Sequence, residues 1–201
     1  MLDGWARKRI DPAIEHLARL VARTGVSANA VTIAAFAVGA LAGAAIGMQF
    51  FLVGLLLIGI SRLGDGLDGA VARIRGKTDY GGYLDIVLDF FFYGAIPLGF
   101  ALADPAANAV AAAILVFSFY VNGASFLAFA ILAERRRLST TARGEKSIFF
   151  TTGLAEATET FAMFAAACLF PGWFPVLAYV FAALCFYTAL SRIVLAGRQF
   201  G

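Results

Sequence analysis

Apolar runs of about twenty residues, separated by short polar or proline-containing breaks, account for most of this chain. Six can be delimited, at about 29–48, 50–74, 80–103, 107–133, 147–169 and 173–196. Each reaches the roughly 20 residues that a helix needs to cross a bilayer. The turns "GMQF", "ADPAAN" and "FPGWFP" are short and poor in charge, and the aromatics and prolines of the last suit a membrane interface. Ahead of these runs, residues 3–23 follow another rule. Trp5, Ile10, Ile14, Leu17, Leu20 and Val21 recur at helical spacing among Arg7, Lys8, Arg9, Arg19 and Arg23. That is the pattern of an amphipathic helix lying in the interface. Pro12 is expected to kink or restart it, and Ser27 or Asn29 to cap the helix that follows. The pattern predicts an all-α protein: an integral membrane bundle of six transmembrane helices with an N-terminal amphipathic interfacial helix. Residues 1–201 form a single domain, with the interfacial helix in 1–25 and the spans in 29–198.

Composition supports this reading. Of 201 residues, 61% are hydrophobic and 14% charged, against about 25% charged in soluble domains; the mean hydropathy is +0.84. No extramembrane stretch is long enough for a second core. The first 25 residues mix both charges and lack an apolar h-region, so they do not read as a signal peptide. Cys168 and Cys185 fall within predicted spans and read as small packing residues. His16, the sole histidine, reads as a surface residue of the first helix.

The basic residues orient the bundle. With the six spans followed alternately, all sixteen Lys and Arg lie on or nearest one side, Arg62 and Arg192 included, and the other side receives only Asp104. The positive-inside rule places that side, with both termini, in the cytoplasm.

Against this background, "DGLDGAVARIRGKTDYGGYLDIVLD" (65–89) stands out. A charge in hydrocarbon costs at least about 2.5–3.5 kcal/mol, so four carboxylates here need a reason. Asp65, Asp68, Gly69, Ala72 and Arg73 are spaced to line one face of the second span, and Gly81, Asp85 and Asp89 one face of the third. The short connection, capped by Thr78 or Asp79, makes the two helices antiparallel neighbours. Their carboxylates then converge just below the cytoplasmic interface and repel one another unless protons or cations neutralise them. An all-oxygen set suits Mg²⁺, Mn²⁺ or Ca²⁺, and no Cys/His grouping offers a zinc site. Small Gly69 and Ala72 leave a notch, and Arg73 supplies a fork suited to phosphate. Metals, an arginine and a notch together point to a diphosphate substrate. The plainer alternative makes the acids helix-end caps or salt-bridge partners of Arg62, Arg73 and Arg75.

These residues resemble the signature of the CDP-alcohol phosphatidyltransferases, D-x-x-D-G-x-x-A-R, a short loop, then G-x-x-x-D-x-x-x-D. Here it reads "DGLDGAVAR" (65–73) and "GGYLDIVLD" (81–89), with a loop one residue shorter than usual. Six spans and an interfacial helix also resemble that family. The resemblance implies that an acceptor alcohol attacks the phosphorus of a CDP-linked lipid and CMP leaves. It implies that Asp65, Asp68 and Asp85 ligate metal, two ions of Mg²⁺ or Mn²⁺, with Asp89 an additional ligand and the general base. It assigns Gly69, Ala72 and Arg73 to the CDP group, and it points to a homodimer.

The acceptor is less marked. "GEKS" (144–147) partly resembles a basic stretch found in members using phosphorylated acceptors. Arg143 and Lys146 are therefore candidates for an acceptor phosphate, beside the plainer reading of positive-inside charge or attraction to anionic lipid. Glu156 lies about 15 Å along the fifth span from Lys146. It and Glu159 either line an acceptor pocket or pair with Arg192, and Asn122 serves the pocket or a helix–helix hydrogen bond. The leading expectation is transfer from CDP-diacylglycerol to a small polyol or polyol phosphate, with membrane lipid and no nucleic acid as partner. The alternatives are a transferase using a soluble CDP-aminoalcohol and diacylglycerol, or a divalent-cation transporter. A transporter normally places its acids near the midplane, whereas these lie near one face.

Overall fold

A computed structural model describes residues 3–136 and 157–201, with side chains from residue 12 onward. Among the described residues there are seven α-helices, one 3₁₀ turn and no strand. They are α1 (Asp3–Arg23), α2 (Ala28–Gly47), α3 (Phe51–Arg75), α4 (Asp79–Ala103), α5 (Pro105–Arg135), α6 (Ala157–Leu169) and α7 (Phe174–Phe200), with the turn at Pro171–Trp173.

The caps explain most boundaries. The Ser27 hydroxyl accepts from the Ala30 amide at 3.2 Å and opens α2. Thr78 accepts from the Gly81 amide at 3.0 Å and opens α4. Asp104 accepts from Ala107 at 3.1 Å, with Pro105 in the first turn of α5. Pro12 does not restart the helix: α1 continues through it. A proline removes only its own N–H donor and its fixed φ is compatible with the helix, so α1 continues at the loss of one intrahelical bond.

Among the described residues, four elements are long and apolar enough to cross a membrane: α2, α4, α5, and α7 with its preceding turn. The 25 residues of α3 include Arg62, Asp65, Asp68, Arg73 and Arg75, and the described part of α6 has 13 residues. Those two do not qualify by length and composition alone.

The core holds α4 at its centre. Phe92, Ile96 and Phe100 of α4 meet Ile46, Ile58, Leu115, Phe164 and Phe174, all buried, and the rings of Phe100 and Phe174 stack at 4.3 Å. Glycines let α2 approach α4 closely: a Cβ on Gly43 would stand 2.8 Å from the Ala95 carbonyl oxygen. Ser61 ties α3 to α2 by donating to the buried Ala35 carbonyl at 2.8 Å. At the opposite end, Gln49 donates to the Ala103 carbonyl at 2.8 Å. Between α5 and α7, half-buried Arg192 donates to Asn122 Oδ1 at 3.0 Å and to Ser125 Oγ at 2.6 Å. Asn122 therefore makes the helix–helix bond open to it in the sequence.

The face of α1 that meets α3 is short. Ile14, Ala18 and Val21 pack on Leu67, Ala70 and Val71, while Leu17 and Leu20 stay exposed. Arg75 donates to the Val26 carbonyl at 2.6 Å and fastens the α1–α2 junction to the end of α3. This gathers α1, the start of α2, the end of α3 and the start of α4 at one end of the bundle.

Candidate active site

The acidic residues lie at that end, on the facing turns of α3 and α4. Asp65, Asp68 and Asp85 each bring one carboxylate oxygen into a group whose members lie within 4.8 Å of one another. Oxygens sharing one Mg²⁺ or Ca²⁺ shell stand about 3–4 Å apart, given metal–oxygen distances of about 2.0–2.6 Å. The three acids are thus close to a coordination geometry and need only small rotations to reach it.

Burial makes this more than a surface cluster. Asp68 is 6% exposed, and its Oδ2 has no hydrogen-bond partner among the described residues. An orphaned carboxylate oxygen is costly, and two further carboxylates beside it raise the cost. A hard divalent cation removes both penalties, and the donor set, all oxygen, is the kind such a cation takes. The residues fit the metal.

Asp89 stands apart from this group. Its Oδ1 accepts from Arg62 Nη1 at 2.7 Å, and the same nitrogen lies 3.6 Å from Asp65 Oδ1. Of the arginines offered as salt-bridge partners in the plainer reading, Arg62 does pair with the acids, but with Asp89 and Asp65, leaving the buried Asp68 oxygen unanswered.

Beside the carboxylates a cavity of about 500 Å³ opens between the starts of α2 and α4 and the end of α3. Asp68 and Asp85 line it together with Gly69, Ala72 and Arg73. A Cβ on Gly69 would meet nothing nearer than Arg73 Nη1 at 3.8 Å. The glycine thus leaves free space in the cavity rather than relieving a helix contact. Lys77 and Thr78 of the α3–α4 connection and Gly81 and Gly82 of the first turn of α4 line it as well.

Two sets of residues in this site were not singled out for it by the sequence reading. Ser27, Asn29 and Thr32 line the cavity from α2; Asn29 and Thr32, polar and three apart on an otherwise apolar helix, were the available signal. Arg62 was the other, as a lone cation one helical turn ahead of Asp65 on the same helix. Of the acceptor candidates, Arg143, Lys146 and Glu156 lie outside the described residues. Glu159 opens the described part of α6, and its Oε2 is buried without a hydrogen-bond partner among the described residues.

The fold and this acidic cavity define a helical membrane protein with a candidate site for a divalent cation, and comparison with known proteins gives its family. The profile of the CDP-alcohol phosphatidyltransferase family matches residues 25–194. The chain belongs to that family and is an enzyme of that class. It is 43% identical over 193 residues to the inner membrane protein YnjF of Escherichia coli, across 96% of this chain and 94% of the relative. The apolar helices and this inner-membrane relative make it an integral membrane protein. An archaetidylinositol phosphate synthase of Methanothermobacter thermautotrophicus is 28% identical over 195 residues, 94% of this chain and 88% of that one. Among solved structures, phosphatidylinositol phosphate synthase PgsA1 of Mycobacterium tuberculosis with CDP-DAG bound superposes with a TM-score of 0.68. It is 21% identical, over 90% of this chain and 91% of that one. The same enzyme with manganese and citrate also gives 0.68, at 22% identity. At such identities these structures speak for the fold.

Proposed function

We propose that this enzyme transfers a phosphatidyl group from CDP-diacylglycerol to a small polyol or polyol phosphate and releases CMP. In this reading α3 and α6 also cross the membrane, giving six spans, and α1 lies in the interface. Both termini and the site face the cytoplasm, the side that gathers every Lys and Arg. The observation that carries the reading is the meeting of the Asp65–Asp68–Asp85 group with the cavity lined by Gly69, Ala72 and Arg73. A diphosphate ester needs that combination. The polyol acceptor draws support from the inositol phosphate synthases among the relatives.

Asp65, Asp68 and Asp85, with Asp89 as an additional ligand, would hold a pair of Mg²⁺ or Mn²⁺ ions. When bound, such ions neutralise phosphate oxygens and stabilise the departing CMP. Arg73 pairs with a donor phosphate, and Gly69 and Ala72 admit the cytidine side of the donor to the helix surface. Asp89 takes the proton of the acceptor hydroxyl as its oxygen bonds to the phosphatidyl phosphorus, and the bond from that phosphorus to the CMP oxygen breaks. Arg143, Lys146, Glu156 and Glu159 are assigned to the acceptor, the basic pair to a phosphate and the glutamates to hydroxyls. A homodimer is the proposed assembly.

The test is CMP release by purified protein in detergent with CDP-diacylglycerol and Mg²⁺, against glycerol phosphate, inositol phosphate, inositol, serine and glycerol. Release with one acceptor, lost in Asp89→Asn and with chelator, is the expected result. Silence across that panel, with release from a CDP-aminoalcohol plus diacylglycerol, would reverse the roles of donor and acceptor.

A further inference from the structure

The sides of α1 are used differently. Ile14, Ala18 and Val21 pack on Leu67, Ala70 and Val71 of α3. About a quarter of a turn round the helix from that face, Leu17 and Leu20 are 48% and 46% exposed. Glu15, Arg19 and Arg23, also exposed, take the remaining side. The two leucines form an apolar strip on an otherwise charged helix.

The position of α1 says what meets that strip. α2, long and apolar enough to cross a membrane, starts at Ala28, just after α1 ends at Arg23. α1 therefore stands where the bilayer surface meets the bundle. Over its length it carries five Lys and Arg against three Asp and Glu, and Arg75 and Lys77 lie at the same end of the bundle. Leucines beside arginines suit an anionic lipid surface: the leucines enter the acyl boundary, and each cation near the surface adds attraction to the headgroups.

α1 is also coupled to the cavity. Gly66, between Asp65 and Asp68, lets Ile14 seat directly on α3, since a Cβ there would stand 3.0 Å from Ile14 Cδ1. At its other end, the Thr24 hydroxyl donates to the Val21 carbonyl at 2.7 Å, and Gly25 turns the chain at φ +87°. The Val26 carbonyl then accepts from Arg75, and Ser27 and Ala28 already line the cavity. A tilt of α1 off α3 would pull on that wall through a short, tethered link.

We propose that α1 docks on an anionic lipid surface, with Leu17 and Leu20 in the acyl boundary and Arg19 and Arg23 among the headgroups, and that this docking holds the Ser27–Ala28 wall of the donor cavity in place. The inference rests on the reading that α1 lies in the interface. It adds the lipid charge that α1 selects and the consequence for the donor.

The test places the whole protein in nanodiscs of phosphatidylcholine alone or with an equal part of phosphatidylglycerol. Cys168 and Cys185 are buried, so a nitroxide can be placed at Leu20→Cys, and its collisions with oxygen and with a water-soluble nickel chelate give its depth. The label should be held out of water in the mixed discs, with nickel accessibility about 5-fold lower than in phosphatidylcholine alone. High salt, which screens exposed charges, and Arg19→Gln with Arg23→Gln should each remove most of that difference. In the mixed discs with Mg²⁺, CDP binding by calorimetry should weaken about 5- to 10-fold in Leu17→Ser with Leu20→Ser, as the competent cavity becomes less populated. That pair alters no charge and lies outside the cavity. A label in water in both lipids would overturn the proposal. So would a label shielded equally in both, as contact with a second copy or with lipid of any charge would give, or CDP binding unchanged in the leucine pair. If the label docks and the leucine pair weakens CDP binding while no acceptor gives turnover, the docking stands and the transfer reading falls.

Discussion

Gly43 and Gly99 meet backbone to backbone where α2 crosses α4. A Cβ on Gly99 would press on the Gly43 carbonyl oxygen and would lie 3.2 Å from both the Gly43 carbonyl carbon and Ile46 Cβ. Neither backbone is free to give way, since Ile46 and Ile96 are fully buried beside the crossing. Gly99→Ala should therefore destabilise the protein by about 1–3 kcal/mol, the usual range for overpacking. Thermal unfolding in detergent reads the effect. Because α2 and α4 both line the cavity, donor binding should weaken along with stability.

Gly69 predicts the opposite pattern. Its Cβ position opens on the cavity and not on a neighbouring helix. Gly69→Val should leave the unfolding temperature within a few degrees of wild type while raising the KM for the CDP donor by at least about 10-fold. Donor titration of CMP release, read beside the melting curve, distinguishes a filled site from a damaged fold. A parallel drop in stability would mean that the glycine serves packing after all.

Arg73→Ala should also act on the donor, through charge. A hydrogen bond to a charged group contributes about 1.5–3 kcal/mol, so the variant should bind the donor about 10- to 150-fold more weakly. Arg73 is exposed, and its loss should not alter folding. Competition by CMP or CDP against the donor gives the measurement.

Much of this arrangement was legible in the sequence because it is local. Helix starts at Ala28, Asp79 and Pro105 follow from Ser27, Thr78 and the Asp104–Pro105 pair, which cap within one turn of themselves. The convergence of Asp65, Asp68 and Asp85 follows from helical spacing and a short connection. What escaped depends on how far each helix is rotated against a distant partner. Arg62 and Asp89 are 27 residues apart, and Arg192 and Asn122 are 70 apart. No periodicity encodes such pairs. The continuation of α1 through Pro12 escaped for another reason: a proline removes one bond of the ladder, and whether the helix survives that loss is decided by the rest of the structure.

The Arg192 cluster carries a prediction of its own. Nη1 donates to the Asn122 carbonyl at 3.1 Å as well as to the side chains of Asn122 and Ser125. It is a three-acceptor clamp between α5 and α7. Interhelical polar contacts in membranes average about 0.6 kcal/mol, and the larger ones reach about 1.7 kcal/mol. Asn122→Ala with Ser125→Ala should cost about 1–2 kcal/mol, since among the described residues the guanidinium keeps only the backbone acceptor. Thermal unfolding of the single and double variants tests it; a double variant as stable as wild type would show that Arg192 finds other acceptors without loss.

The most direct consequence of the site concerns Asp68. It is the most enclosed of the three clustered acids, and its free Oδ2 is the atom that a cation best explains. Two effects of Asp68→Asn should run in opposite directions. The neutral amide removes a negative charge from beside Asp65 and Asp85, which relieves repulsion in the metal-free protein and should hold or raise its melting temperature. The same change removes a ligand. Losing an outer-shell partner of a metal costs about 10–100-fold in affinity or activity, so losing a ligand should cost at least about 100-fold in Mn²⁺ affinity and in CMP release. Chelation of wild type should mimic the loss of activity, and excess Mg²⁺ or Mn²⁺ should reverse it, whereas added cation should rescue the variant poorly. A destabilised Asp68→Asn that still binds Mn²⁺ normally would mean that the carboxylate is held by the protein rather than kept for a cation, and the proposed metal site would fail with it.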